Sequence, residues 1–128
     1  MLTLPASVRV YLCAEPVDLR KSIDGLGALV RTGGGDLYSG HLYVFRGRRA
    51  DRVKILSWDR GGFVLYYKRL ERGRFHFPKQ AAPGAPLVLS ATQLAMLLDG
   101  LELGGRKEPV RWQPKGAQGL DNCTAMLM

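Results

Sequence analysis

The chain is poor in the groups that build catalytic and metal centres. It has 2 histidines and 2 cysteines, and Cys13 and Cys123 stand too far apart for a CxxC-type redox or metal motif. No disulfide framework is legible, which fits a reducing, cytoplasmic setting with Cys13 as a small buried hydrophobe. His41 and His76 have no Cys or His at ligand spacing, so no zinc site is expected. Ser39 and Ser57 lie in no nucleophile elbow. Acidic residues number 11 against 19 Lys and Arg, and they sit where turns and caps use carboxylates. Asp18 precedes an amphipathic segment, Asp36 ends a run of glycines, and Asp51, Asp59 and Glu71 mark hairpin ends. No converging set of carboxylates for Mg²⁺ can be assembled, so neither metal nor other cofactor is expected and the chain reads as non-catalytic. Long apolar runs are missing too. The longest are a few residues, far short of the roughly 20 that cross a bilayer, and Pro5, Ser7 and Arg9 interrupt any secretory leader.

What the chain has is positive charge, in one place. The net charge is +8. Between Arg46 and Lys79 there are 11 basic and 3 acidic residues, 11 − 3 = +8, while 8 of each balance elsewhere. A charge excess confined to one segment points to a polyanionic partner, nucleic acid being the commonest.

The 128 residues suffice for one domain with a real core. Residues 1–112 read as a single α+β domain and 113–128 as a flexible tail. "VRVYLC" (8–13) alternates as a strand. Asp18 reads as the N-cap of a helix, "LRKSIDGLGALVR", with Leu19, Ile23, Leu26 and Val30 at helical spacing. "TGGGD" (32–36) follows that helix instead of opening one and lacks GKS or GKT, so it reads as a turn and not a phosphate loop. From His41 the period becomes two. "HLYVFR" (41–46), "DRVKILSW" (51–58), "GFVLYYKRL" (62–70) and "GRFHFP" (73–78) form a predicted antiparallel meander with tight connections "GRRA", "DRGG" and "ERG". Val8–Cys13 is a candidate fifth strand. After a linker, "KQAAPGAP" (79–86), Ser90 and Gln93 make an S-x-x-Q capping box for a second helix with Leu94, Leu97 and Leu98 as its stripe and Gly100 as its stop. Trp112 is the one strong anchor beyond it.

Two polar clusters carry the functional expectation. In the meander, Arg46, Arg48, Arg49, Arg52, Lys54, Lys68 and Arg69 are candidate phosphate contacts, and Trp58 and Tyr66 candidate stacking surfaces. Lys54, Trp58, Tyr66 and Lys68 are expected to lie close together on a twisted sheet, a combination suited to single strands or distorted duplexes. The plainer alternative is a solvated face whose cations keep the sheet soluble and guard its edges. The second cluster is "DLRKSIDG" (18–25). On a helix, Arg20 and Asp24 would pair at i, i+4, a surface contact worth a few tenths of a kcal/mol. Arg20, Lys21, Asp24 and Gly25 there form a candidate partner-docking surface, with a merely solvated helix face as the alternative.

The segments "VRVYLCAEPVDLRKSIDGL", "YSGHLYVFRGRRADRVKIL", "WDRGGFVLYYKRLERGRFHFP" and "LSATQLAMLLDGLEL" together resemble the TnpB-type accessory proteins of insertion sequence family sixty-six. The resemblance runs from about Leu4 to Trp112, and only residues 116–128 and the short "TGGGD" loop depart from it. It implies a role in transposition beside a separate, much larger transposase that carries the acidic catalytic residues. The expectation is thus a non-catalytic accessory factor that binds nucleic acid, DNA in preference to RNA, through its basic meander and bridges it to the cognate transposase. The alternative is an adaptor that docks the transposase without touching nucleic acid. Nothing in the sequence sets the oligomeric state.

Overall fold

A computed structural model describes residues 7–80 and 87–100. Five strands and two helices follow in the order β1 (Val10–Leu12), α1 (Ile23–Thr32), β2 (Leu42–Arg46), β3 (Arg52–Asp59), β4 (Gly62–Arg69), β5 (Leu87–Leu89) and α2 (Ala91–Leu98). The strands make one sheet in the order β4-β3-β2-β1-β5. Every pairing is antiparallel except β1 with β2. Two strands joined in parallel need a long crossover, and α1 supplies it. The fold is α+β, a mostly antiparallel sheet with one helix before the meander and one after it.

Strand alternation sends neighbouring side chains to opposite faces, and both faces are covered. Val10, Val44, Val53 and Ile55 pack with Leu89, Leu94 and Leu97 of the α2 side. Phe45 and Leu56 pack with Leu26, Val30 and Leu37 of the α1 side. This explains why "VKIL" is buried throughout: Val53, Lys54, Ile55 and Leu56 meet a layer on each side. The β3–β4 hairpin turns on Arg60 (φ 44°) and Gly61 (φ 87°). Two consecutive positive φ values define the type I′ turn that matches the twist of a two-residue hairpin. The α2 capping box forms as its spacing requires. The Ser90 hydroxyl accepts from the Gln93 N–H, and the Gln93 side chain accepts from the Ser90 N–H. Gly100 stops the helix with φ 77°.

Four features differ from the expectation. "VRVYLC" does join the sheet, but in its interior and parallel to β2. The short β5 lies just after the linker, where the sequence pattern suggests only the approach to a helix. Residues 73–78 form no strand. Their chain crosses to the α2 face, pinned by the Phe75 N–H to the Ala50 carbonyl at 2.7 Å, because the buried Phe75 belongs to the core there. Finally, α1 begins at Ile23 with Ser22 at its N-cap, not Asp18. Asp18 instead closes a tight turn of its own, its carboxylate accepting from the Arg20 N–H at 3.0 Å. The Arg20–Asp24 helix pair therefore does not exist. The domain end at 112, Trp112, Cys123 and the tail lie outside the described residues.

Candidate functional site

The basic segment does not form one surface. The β3–β4 register sets Arg52 opposite Arg69, Lys54 opposite Tyr67, Ile55 opposite Tyr66 and Val53 opposite Lys68. Arg52, Lys54, Trp58, Tyr67 and Arg69 thus face the α1 side, while Arg46, Tyr66 and Lys68 face the α2 side. The expected grouping of Lys54, Trp58, Tyr66 and Lys68 is split between the faces.

Both lysines are engaged with main-chain carbonyls. Lys54 is 8% exposed, and its Nζ donates to the Lys21 carbonyl at 2.9 Å and sits 5.1 Å from the Tyr67 ring centroid. It ties the turn before α1 to the sheet. Lys68 Nζ donates to the Leu98 carbonyl, placing a cation on the negative end of α2. Neither ammonium is held out toward a phosphate. Tyr66 is partly buried and packs against the α2-side core. Arg46 lies 5.0 Å over the Phe77 ring, with its Nε buried. Trp58 sits six residues along β3 from Arg52, about 20 Å at the strand rise. There it packs edge-on against Tyr38 and Phe63, with centroids 5.0 Å away in each case.

Four arginines do converge, three of them from the basic segment. Arg20, Arg48, Arg49 and Arg52 line one open concavity of about 490 Å³ between residues 16–20 and 47–52, shared with Asp18 and Asp51. The turn at 47–50 holds Arg48 and Arg49 outward, closed by the Ala50 N–H to the Gly47 carbonyl at 3.1 Å and by Ala50 at φ 59°. Arg69 adds a fifth cation across the ladder from Arg52. Like charges directly opposite on a sheet repel, and Glu71 offsets the charge of Arg69 in this pair. Arg20 and Arg69 each have a carboxylate partner: Asp18 at 2.8 Å and Glu71 at 2.8 Å. The Arg20 guanidinium beside Asp18 holds that carboxyl at about 2, well below its ordinary 3.8. Asp18 and Glu71 in turn raise the pKa of Arg20 and Arg69. Arg48, Arg49 and Arg52 have no ion-pair partner among the described residues.

One residue from the docking cluster, Arg20, therefore belongs with the meander arginines. The rest of that cluster is differently placed. Gly25 is small because the Lys21 stem lies over it, a Cβ there meeting Lys21 Cβ at 3.0 Å. Its surface is taken by the chain's own lysine. Gly27 similarly admits Leu37, whose Cδ1 would stand 3.3 Å from a Cβ. Asp24 stays exposed in the first turn of α1. Tyr67 was not read as a functional residue, yet it is 49% exposed beside Arg52 and Arg69. Alternation from Arg69 would have placed it on the arginine face.

Asp51 and Asp59 do not converge. Asp51 opens β3, with its carbonyl accepting from the Leu70 N–H at 2.8 Å, and Asp59 is exposed at the far hairpin. No three His, Cys, Asp or Glu side chains come together to hold a metal ion among the described residues. The Cys13 thiol is half-buried against the α1 core, and burial pushes its pKa up. No helix among the described residues is long and apolar enough to cross a membrane.

The fold is a mixed sheet layered by two helices, with an arginine-lined concavity beside the turn between β2 and β3. More particularly, the chain belongs to the IS66 Orf2-like family, whose model matches residues 8–108. It is 37% identical over 112 residues to the Sinorhizobium fredii uncharacterized protein y4jC, covering 86% of this chain and 94% of the relative. It is 34% identical over 115 residues to y4hO of the same organism, also uncharacterized, covering 89% and 96%. No solved structure matches the chain. The resemblance read from the four sequence segments is a family membership, and it points to an accessory role in transposition.

Proposed function

We propose that this protein is a non-catalytic transposition factor that holds nucleic acid, DNA in preference to RNA, by its phosphates in the arginine concavity and bridges it to the cognate transposase. The observation that carries this reading is the meeting of Arg20, Arg48, Arg49 and Arg52, from two distant stretches of chain, around one open hollow. Guanidinium groups form forked hydrogen bonds to phosphate oxygens, so four around one hollow suit a chain of phosphates better than a single small anion. Asp18 on the rim holds the Arg20 guanidinium in place.

The test is retention of labelled DNA at about 50 mM salt, where several phosphate contacts bind well. Arg49→Glu should abolish retention. Arg31→Glu, in the last turn of α1 away from the hollow, should lower it only slightly. Equal losses from both would make the attraction a general effect of net charge. If wild type retains no nucleic acid yet still forms a complex with the transposase in a pull-down, the adaptor role replaces this one.

A further inference from the structure

Tyr67 lies toward the C-terminal end of β4, the strand at the sheet's edge, and is 49% exposed. It does not belong to the α1-side core that takes Phe63 and Leu65 of the same strand. Instead the Lys54 ammonium, 5.1 Å from the ring centroid, steadies it and is in turn fixed by the Lys21 carbonyl at 2.9 Å. That chain of contacts joins the ring to the 18–21 turn that carries Arg20. Arg69 lies two residues along the same face, and Arg52 faces Arg69 across the ladder. At ordinary strand dimensions, about 3.4 Å per residue and 4.8 Å between strands, the Arg52 guanidinium can reach the space around the ring, while that of Arg69 is held close by on Glu71.

A half-exposed, pre-fixed aromatic ring flanked by cations is the arrangement by which proteins hold unpaired strands: a base lies on the ring while the cations follow the backbone. A duplex cannot use it, because its bases are already stacked on one another and freeing one costs a few kcal/mol. Resting on the phosphate-binding role proposed above, we infer that the preferred ligand is an unpaired strand and that Tyr67 stacks on one of its bases. Such strands arise wherever duplex ends fray or open. Tyr67 replaces Tyr66 as the stacking residue of the meander, and it adds to the arginines a contact that salt does not screen.

Fluorescence anisotropy with labelled oligothymidine, oligouridine and a mixed-sequence duplex of equal length tests this on the full chain. Wild type should bind at least one single strand more tightly than the duplex. Tyr67→Leu, which keeps strand bulk but no π face, should lower single-strand affinity about tenfold, toward the low end of what one stacked base contributes, and leave duplex affinity within about twofold. Tyr67→Phe should behave as wild type. Duplex binding as tight as both single strands overturns the inference, as does an equal loss on all three ligands in Tyr67→Leu. Those outcomes leave the arginine hollow intact as a phosphate site. Absence of binding to every ligand would instead remove the underlying role as well.

Discussion

Lys54 separates a structural cation from a binding one, and replacing it by alanine measures the difference. The side chain is 8% exposed and spends its charge on the Lys21 carbonyl at 2.9 Å. A hydrogen bond from a charged donor contributes about 1.5–3 kcal/mol. The methylenes beyond Cβ add about 0.8 kcal/mol each when buried. Against these stands the desolvation of the ammonium, which the substitution relieves and which offsets part of the loss. The net expectation is a loss of about 2–4 kcal/mol, with α1 and the 18–21 turn loosened from the sheet. Urea unfolding followed by far-UV circular dichroism should show the midpoint falling by about 1–2 M for a slope near 2 kcal/mol per M. Arg49→Ala, at an exposed turn, should stay within about 0.5 kcal/mol of wild type. A Lys54→Ala protein as stable as wild type, with DNA affinity reduced as in Arg49→Ala, would refute the assignment and return Lys54 to the phosphate contacts.

Other outcomes follow from particular contacts. Gly35→Ala would put its Cβ 2.7 Å from Val30 Cγ1 and 3.2 Å from the Tyr43 hydroxyl. Val30 is stiff and buried, so the cost is about 1–3 kcal/mol, read as a lowered thermal midpoint, whereas an unchanged midpoint would show the loop yielding freely. Lys68→Met should free the Leu98 carbonyl and speed amide exchange in the last turn of α2 more than in β3; equal protection would mean the ammonium does not hold that end. The Asp18 carboxyl should titrate near 2 and not 3.8 when followed by carbon NMR. Because the folded chain holds this proton more weakly than the unfolded one, its pair with Arg20 favours the fold above pH 3.8 and that contribution fades as pH falls through about 2. Arg20→Ala should bring the midpoint back toward 3.8, and a wild-type midpoint already there contradicts the pair.

Local chemistry was the most legible part of this sequence. The Ser90–Gln93 box, the Gly100 stop and the Arg60–Gly61 hairpin each depend on residues a few positions apart, and each forms as its spacing implies. Alternation separates the two faces within each strand, Arg52, Lys54 and Trp58 from Val53 and Ile55 on β3, and Tyr67 and Arg69 from Tyr66 and Lys68 on β4. What alternation cannot report is which layer covers a face, or how far one strand slides against the next. Lys54 and Arg52 share a face, yet only Lys54 lies under the turn that leads into α1. The register then pairs Lys54 with Tyr67 and leaves Tyr66 and Lys68 on the far side. Asp18 reads as an N-cap in the sequence because a carboxylate that accepts from the N–H two residues on serves a helix N-cap and a free turn equally well. The join of Arg20 to Arg48, Arg49 and Arg52 is a tertiary contact between stretches some thirty residues apart, which composition and spacing do not encode. β5 is three residues long, too short to show a period.

The salt dependence of DNA affinity, compared between wild type and an Arg48→Ala, Arg49→Ala double variant, bears most directly on the arginine hollow. Each phosphate contact contributes about 0.7–0.9 to the slope of log affinity against log salt, the lower figure for single strands. If these two side chains hold phosphates, the double variant stays folded and its slope is shallower by about 1.4–1.8. A slope and affinity equal to wild type would contradict the hollow as the nucleic-acid site.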